Sequence, residues 1–289
     1  MLIIAQSYAD TLLFSSKVTM DRQHTLWLWT EGAFSRRVMY TLLVKGLVAS
    51  TTDLLQGKTT RRDLRINPVK IDTTKGWVCG DSADPQPEGA SNPCMRTTDM
   101  STGETWFIYE STSIILYLEE LYPEHPLQPR SAVERAMMMD MVGKINITAL
   151  ETNYFLRNTE PEVGAALQLK AEDQQRATAL NATTNEIKGL LKLQTWAEQN
   201  GLSKNQWITP GVSGPGLADV TLASNVRFID LIYGIFMLRN KQLKPLADWY
   251  ARFCKLSWWE DFEERSDIVP DMFHFGRTSR ASWFKESGL

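Results

Sequence analysis

The feature that most constrains the fold of this sequence is a change of pattern at residue 131. Between residues 25 and 124, short apolar runs typical of strands alternate with stretches in which apolar residues recur at helical spacing. Residues 131–289 carry helical spacing with little strand-like alternation, and the Pro-bearing connector HPLQPR, residues 125–130, separates the two parts. The sequence therefore predicts an α/β domain followed by an all-helical domain.

The first domain has a definite predicted order of elements. The run at residues 25–30 predicts a strand, and residues 31–46 predict an amphipathic helix. Residues 69–91 are dense in Gly, Pro, Asp and Ser, which indicates an irregular insertion. Two strands joined by a short turn are then predicted at residues 92–99 and 105–109. Residues before the first strand, 1–24, are predicted to be an extension that the fold does not need.

Composition excludes several classes of protein. The chain has 289 residues and a net charge of -3, without the clustered excess of Lys and Arg that a nucleic-acid binder needs. Its three cysteines and three histidines are widely spaced, so the sequence predicts neither a disulfide framework nor a metal site. No run is long and apolar enough to predict a membrane span, and a reducing cytoplasm is the expected location.

A carboxylate and a hydroxyl, Glu110 and Ser111, stand where the second strand of the hairpin gives way to a helix. A helix N-terminus offers free N–H groups and a positive dipole to an anion, and an adjacent carboxylate attracts a cation. From these residues alone, the pair is either a helix cap or a site for the charged end of a small zwitterion.

Taken in chain order, several stretches resemble the landmarks of the glutathione S-transferase superfamily, of a fungal type or close to the zeta and omega classes, with insertions. The matching stretches are INP at 66–68, Asn92-Pro93, ES at 110–111, HPLQPR at 125–130, LADVTLA at 217–223 and LKPLADWYARF at 243–253. The resemblance spans roughly residues 25–256. It implies a thioredoxin-like N-terminal domain that binds glutathione as a cosubstrate, a helical domain that supplies most of the second-substrate pocket, and a homodimer.

The resemblance also assigns roles to residues. It implies that Glu110 and Ser111 hold the γ-glutamyl end of glutathione, by binding its ammonium and its carboxylate respectively. Asn92-Pro93 matches the cis-proline step of the family, which implies that the main chain of Asn92 pairs with the backbone of glutathione's cysteine.

The group that activates the thiol is less plainly marked, because the family's usual Ser or Cys positions fall on Gly32 and Ala33. Ser35, close to the expected start of the first helix, is predicted to be the catalytic hydrogen-bond donor to the thiolate. Thr30, backbone N–H groups between Gly32 and Phe34, and the substrate itself are the alternatives. The family's Ser or Thr helix cap before the LADV segment is also absent, since Gly216 stands there.

The predicted function is activation of the glutathione thiol for attack on an electrophilic, mostly apolar small molecule. The insertion at 69–91 and the tail at 258–289 are expected to fold over the pocket, which suggests a dedicated substrate such as an intermediate of secondary metabolism. One alternative is a glutathione-dependent cis–trans isomerase, although the Ser-Ser-Cys loop of maleylacetoacetate isomerases is absent. The other alternative is a non-catalytic relative, such as the transferase-like domain of elongation factor 1 gamma or a nitrogen regulator.

Overall fold

The computed structural model describes residues 22–72, 76–166 and 168–264. The chain divides into two compact units between His125 and Pro126. Of the predicted extension, residues 22–24 belong to the first strand and the rest lies outside the described residues. The predicted tail lies outside them beyond residue 264.

The first unit contains a five-stranded mixed sheet. Its strands are β1 (Arg22–Trp29), β2 (Leu64–Asp72), β3 (Gly76–Cys79), β4 (Cys94–Asp99) and β5 (Thr105–Ile108), and its helices are α1 (Ala33–Val44), α2 (Thr51–Leu55) and α3 (Ser111–Leu121). The strand order is β3-β2-β1-β4-β5, with β1 and β2 parallel and the other pairs antiparallel. The predicted hairpin is therefore present as β4 and β5.

The central strand β1 is buried on both of its faces. Leu26 and Leu28 point to one side of the sheet and Trp27 to the other, because successive side chains of a strand alternate, and all three are fully buried. Trp27 packs in a small apolar cluster with Val69 and Cys94. Such burial on both faces is typical of the middle of a sheet that is covered on each side.

The segment predicted as an irregular insertion is only partly irregular, which corrects that interpretation. Residues 69–72 complete β2, and residues 76–79 form β3 at the edge of the sheet. The loop that follows packs against the sheet, where Ala90 and Cys79 contact the Trp27 cluster. The indole Nε1 of Trp27 also donates to the carbonyl oxygen of Asp84 at 3.1 Å.

A buried ion pair joins the end of α1 to α3. The Nζ of Lys45 donates to Oε2 of Glu119 at 2.6 Å, and both side chains are at most 9% exposed. The same ammonium donates to the carbonyl oxygens of Glu124 at 3.0 Å and His125 at 3.3 Å. A buried charge is tolerated only when it is paired and hydrogen-bonded, and Lys45 meets both conditions.

Every regular element among the described residues of the second unit is a helix, as predicted. Its helices are α4 (Ala132–Thr159), α5 (Pro161–Ala166), α6 (Arg176–Gln199), α7 (Leu202–Asn205), α8 (Leu217–Tyr233), α9 (Lys244–Phe253) and α10 (Trp259–Glu263), with 3₁₀ turns at Ala171–Asp173 and Lys241–Leu243. The α/β domain followed by an all-helical domain is thereby confirmed. Among the described helices, none has the length and apolar character needed to cross a bilayer.

The start of α8 shows how the chain manages without the expected hydroxyl cap. Gly216 is the N-cap, and a Cβ there would lie 2.6 Å from the side chain of Thr209. Thr209 fills that space, and its Oγ1 accepts the N–H of Ala218 at 3.1 Å. The missing cap hydroxyl is thus supplied by a residue from the preceding loop.

Candidate functional site

Three segments of the first unit meet at one end of the sheet. The backbone N–H of Trp29, at the end of β1, donates to Oδ1 of Asn92 at 3.0 Å. The hydroxyl of Ser91 donates to the carbonyl oxygen of Tyr109 at 3.2 Å, just before α3 begins. These bonds bring together the β1–α1 loop, the segment before β4 and the N-terminus of α3, which carry the predicted site residues.

The peptide bond between Asn92 and Pro93 is cis. The side chain of Asn92 is committed to the protein, because its Oδ1 accepts from Trp29 and its Nδ2 donates to Oε1 of Gln86 at 2.6 Å. Pro93 is buried and Asn92 is half-buried. The predicted binding through the Asn92 main chain stays a prediction, and it does not compete with these side-chain bonds.

Glu110 and Ser111 stand at the start of α3. Glu110 is the N-cap residue, but its exposed carboxylate makes no cap hydrogen bond, while Ser111 is the first helical residue and is only 4% exposed. The side chain of Glu110 is therefore not used to cap its own helix. The arrangement places a carboxylate next to a helix N-terminus, the pairing that a zwitterion's two charges require.

A buried cation, Arg37 of α1, accompanies this pair. Burial lowers the pKa of its guanidinium to about 10, although the nearby carboxylate of Glu110 acts to raise it. Its charged end also lies 4.8 Å from the ring centre of Phe34, which is half exposed. Nothing local in the sequence indicates the proximity of Arg37 to Glu110.

Ser35 lies in the first turn of α1 and is 1% exposed. Its Oγ accepts the backbone N–H of Trp29 at 3.1 Å, so Ser35 and Asn92 share that donor. The hydroxyl of Ser35 is thus already engaged within the protein. The geometry favours a structural role for Ser35, and its predicted catalytic role stays a prediction.

The neighbouring hydroxyl, Thr30, is also buried. It hydrogen-bonds the carboxyl group of Glu31, whose pKa is raised by burial. The guanidinium of Arg36 donates to the carbonyl oxygen of Glu31 at 3.2 Å. These contacts hold the β1–α1 loop against the start of α1, and Glu31 was missed by sequence reasoning.

Gly32 stands where the glutathione transferase family usually has a Ser or Cys, and the ring of Trp29 explains why a glycine is needed there. A Cβ at this position would lie 2.6 Å from a ring carbon of Trp29, closer than any ordinary contact. Gly32 is the N-cap of α1 and offers no side-chain acceptor, and the first turn contains no acidic residue. The positive end of the α1 dipole is thus not neutralised by a side chain of its own first turn.

Comparisons with known proteins agree with this architecture. No family model matches the chain. A curated relative, glutathione S-transferase 1 of Dianthus caryophyllus, is 25% identical over 149 residues, which cover 49% of this chain and 67% of the relative.

Among solved structures, maleylacetoacetate isomerase from Anaeromyxobacter dehalogenans superposes with a TM-score of 0.57 at 16% identity, over 88% of this chain and 98% of that one. A glutathione S-transferase from Methylobacillus flagellatus with glutathione bound gives a TM-score of 0.56 at 18% identity, over 83% and 98% of the two chains. The chain therefore has the fold of these glutathione-dependent proteins, and about half of it is similar in sequence to a glutathione S-transferase.

Proposed function

We propose that the protein is a glutathione-dependent enzyme that activates the thiol for attack on an electrophilic, mostly apolar small molecule. The observation that carries the proposal is the convergence of Asn92-Pro93, Glu110 and Ser111 at one end of the sheet. Glutathione is bound in the related transferase from Methylobacillus flagellatus, which supports the same ligand here.

In the proposed binding mode, the γ-glutamyl carboxylate meets the N–H groups and hydroxyl at Ser111, and the ammonium meets Glu110. The backbone of glutathione's cysteine pairs with the main chain of Asn92, as in the addition of a short strand. The buried guanidinium of Arg37 adds positive charge near Glu110. Each charge of the ligand then has an opposite charge or a donor on the protein.

For thiol activation we favour the N–H groups at the start of α1 over Ser35. Lowering the thiol pKa by about two units requires about 2.7 kcal/mol of preference for the thiolate. One N–H bond to a charged acceptor supplies about 1.5–3 kcal/mol, and the helix dipole adds about 0.3–1 kcal/mol. The N–H groups of Ala33 and Phe34, in the uncapped first turn of α1, offer both contributions. The hydroxyls of Thr30 and Ser35 are instead engaged with Glu31 and with the N–H of Trp29.

The thiolate then forms a carbon–sulfur bond with the electrophile, and a leaving group departs with its bonding electron pair. In the isomerase alternative, the thiolate adds to a conjugated double bond, the new single bond rotates, and elimination returns the thiolate. The isomerase neighbour from Anaeromyxobacter dehalogenans favours this alternative, but the missing Ser-Ser-Cys loop counts against the substrate in its name. Gly32 at the usual hydroxyl position is the feature that favours a non-catalytic glutathione-binding protein.

The binding site is tested by calorimetry with glutathione. Glu110→Gln and Ser111→Ala should each weaken binding by about 1–3 kcal/mol, because each removes a hydrogen bond to a charged group of the ligand. Glu120→Gln and Ser113→Ala, at exposed positions of the same helix, are matched controls and should leave the affinity unchanged. Unchanged affinity in both site variants would exclude this binding mode.

The mode of thiol activation is tested by titrating the ultraviolet absorbance of the bound thiolate against pH. If backbone N–H groups stabilise the thiolate, Ser35→Ala should shift the pKa of the bound thiol by less than about half a unit. A rise of about one unit or more would instead identify Ser35 as the donor. Turnover of a model electrophile by the parent protein, measured in parallel, separates an enzyme from a non-catalytic binder.

We further propose that the protein is a homodimer located in the cytoplasm, where glutathione keeps thiols reduced. Its three cysteines are free, which fits that compartment. Beside the α4 face that is buried within the second unit, the same helix carries exposed apolar side chains. They are Val133, Met139, Ile147, Leu150 and Tyr154. One apolar helix face can serve both subunits of a two-fold pair, because such an interface uses the same patch twice.

A further inference from the structure

The side-chain amide of Gln86, in the loop after β3, contacts three consecutive residues. Its Nε2 donates to the carbonyl oxygens of Ala90 at 2.8 Å and Ser91 at 3.2 Å. Its Oε1 accepts from Nδ2 of Asn92 at 2.6 Å. One glutamine therefore holds the whole segment that leads into Pro93.

Gln86 itself is held by the sheet. Its backbone N–H donates to Sγ of Cys79 in β3 at 3.2 Å. Two residues earlier, the carboxylate of Asp84 accepts two bonds from Arg96 of β4, at 2.9 and 2.8 Å. The carbonyl oxygen of Asp84 also accepts from Asn67 of β2 at 2.7 Å. The loop thus rests on three strands, and Gln86 projects from a fixed support.

The contact with Gln86 also fixes which way the Asn92 amide points. Because Oε1 of Gln86 is an acceptor, the NH₂ group of Asn92 must face it, which leaves Oδ1 of Asn92 to accept the N–H of Trp29. Without Gln86 only the N–H of Trp29 would hold the Asn92 amide in this orientation. A single side chain therefore sets the geometry of two of the three segments at the site.

We propose that Gln86 is a positioning residue for glutathione, acting through Asn92 on the backbone that receives the ligand's cysteine and on the β1–α1 loop. This inference rests on the proposed function. The insertion at residues 69–91 was predicted to cover a pocket. In this proposal its residue Gln86 instead supports the segment that binds glutathione. Fixing a binding segment in advance strengthens binding by reducing the ordering that the ligand must impose.

The test is a double-mutant cycle on glutathione affinity, measured by calorimetry. Gln86→Leu should weaken binding by about tenfold, the effect of losing one or two hydrogen bonds that order the site. In the Asn92→Ala background the same Gln86→Leu change should have only about a threefold effect, because the route through Asn92 has been removed and only the bonds to the two carbonyls are lost. A purely structural role would give equal effects in both backgrounds, and that result would overturn the inference.

Two further variants complete the binding experiment. Gln194→Leu, in α6, is the matched control, because Gln194 is also half-buried and donates to a backbone carbonyl, that of Gln242. It should leave glutathione affinity unchanged. If Gln86→Leu fails to fold, Gln86→Glu keeps the acceptor toward Asn92 but loses the donor to the two carbonyls, and its affinity should fall about threefold.

The outcomes separate the two proposals. If the parent protein does not bind glutathione, the proposed function is wrong. If the parent binds glutathione and the folded Gln86 variants bind it equally well, only the positioning role is wrong.

Discussion

Replacing Asp219 with alanine should lower the free energy of unfolding of the protein by at least about 3 kcal/mol. The Asp219 carboxylate is fully buried at the start of α8, where it accepts hydrogen bonds from four N–H groups as well as from the Thr209 hydroxyl. The N–H donors are the backbone groups of Ile208 (2.9 Å), Thr209 (3.1 Å) and Gly216 (3.0 Å) and the indole of Trp249 (2.7 Å). Removing the acceptor leaves several buried donors unsatisfied, at about 1–3 kcal/mol each.

Urea unfolding followed by tryptophan fluorescence measures this loss, and two variants calibrate it. Thr209→Val removes the hydroxyl that accepts from Ala218 and also hydrogen-bonds the Asp219 carboxylate, and should cost about 1–2 kcal/mol. Asp248→Ala, at an exposed ion pair with Lys244 on α9, should cost less than about 1 kcal/mol. If Asp219→Ala were no more destabilising than Thr209→Val, the bonds to Asp219 would not support this junction as argued.

Introducing a carboxylate at Ile147 should convert the proposed homodimer into a monomer. Ile147 and Leu150 are 55% and 60% exposed and lie on the same face of α4. In a two-fold interface the substitution appears twice, so that two uncompensated carboxylates would be desolvated on association. Light scattering at micromolar concentration should give about twice the chain mass of 32.9 kDa for the parent and 32.9 kDa for Ile147→Asp.

Leu180→Asp is the control for this experiment. Leu180 is an exposed apolar residue on α6, outside the proposed face, and its substitution should leave the dimer intact. A parent protein that scatters as a single chain would rule out the homodimer. A dimeric Ile147→Asp variant would place the interface elsewhere.

The sequence by itself determined the elements whose signal is local. The helical spacing of α1 and α3, the β4–β5 hairpin and the helical second half depend on neighbouring residues, and each is present in the structure. The sequence missed β2 as a full strand, because Pro68 and charged residues interrupt its pattern. Pairing with β1, in which Pro68 lies opposite Leu28, decides its conformation.

For the candidate site, too, the sequence marked the residues and the tertiary structure decided their contacts. The order of motifs along the chain marked Asn92, Pro93, Glu110 and Ser111, because an X–Pro step and a residue pair at a helix start are visible in a linear sequence. Tertiary structure decided how they are supported. The bond from Trp29 to Asn92 joins residues 63 positions apart, and the Gln86 amide becomes meaningful only when its loop is folded back on the sheet.

The activating group illustrates why spacing alone was insufficient. Ser35 has the right residue type near the right place, but burial and a backbone N–H engage its hydroxyl. From the sequence alone, Gly32 suggests that a catalytic residue has been lost. In the structure, the ring of Trp29 occupies the space that a side chain at this position would need. Burial and steric exclusion arise from contacts between segments, so the sequence specified the candidate residues and only the folded chain decided which of them are buried and bonded within the protein.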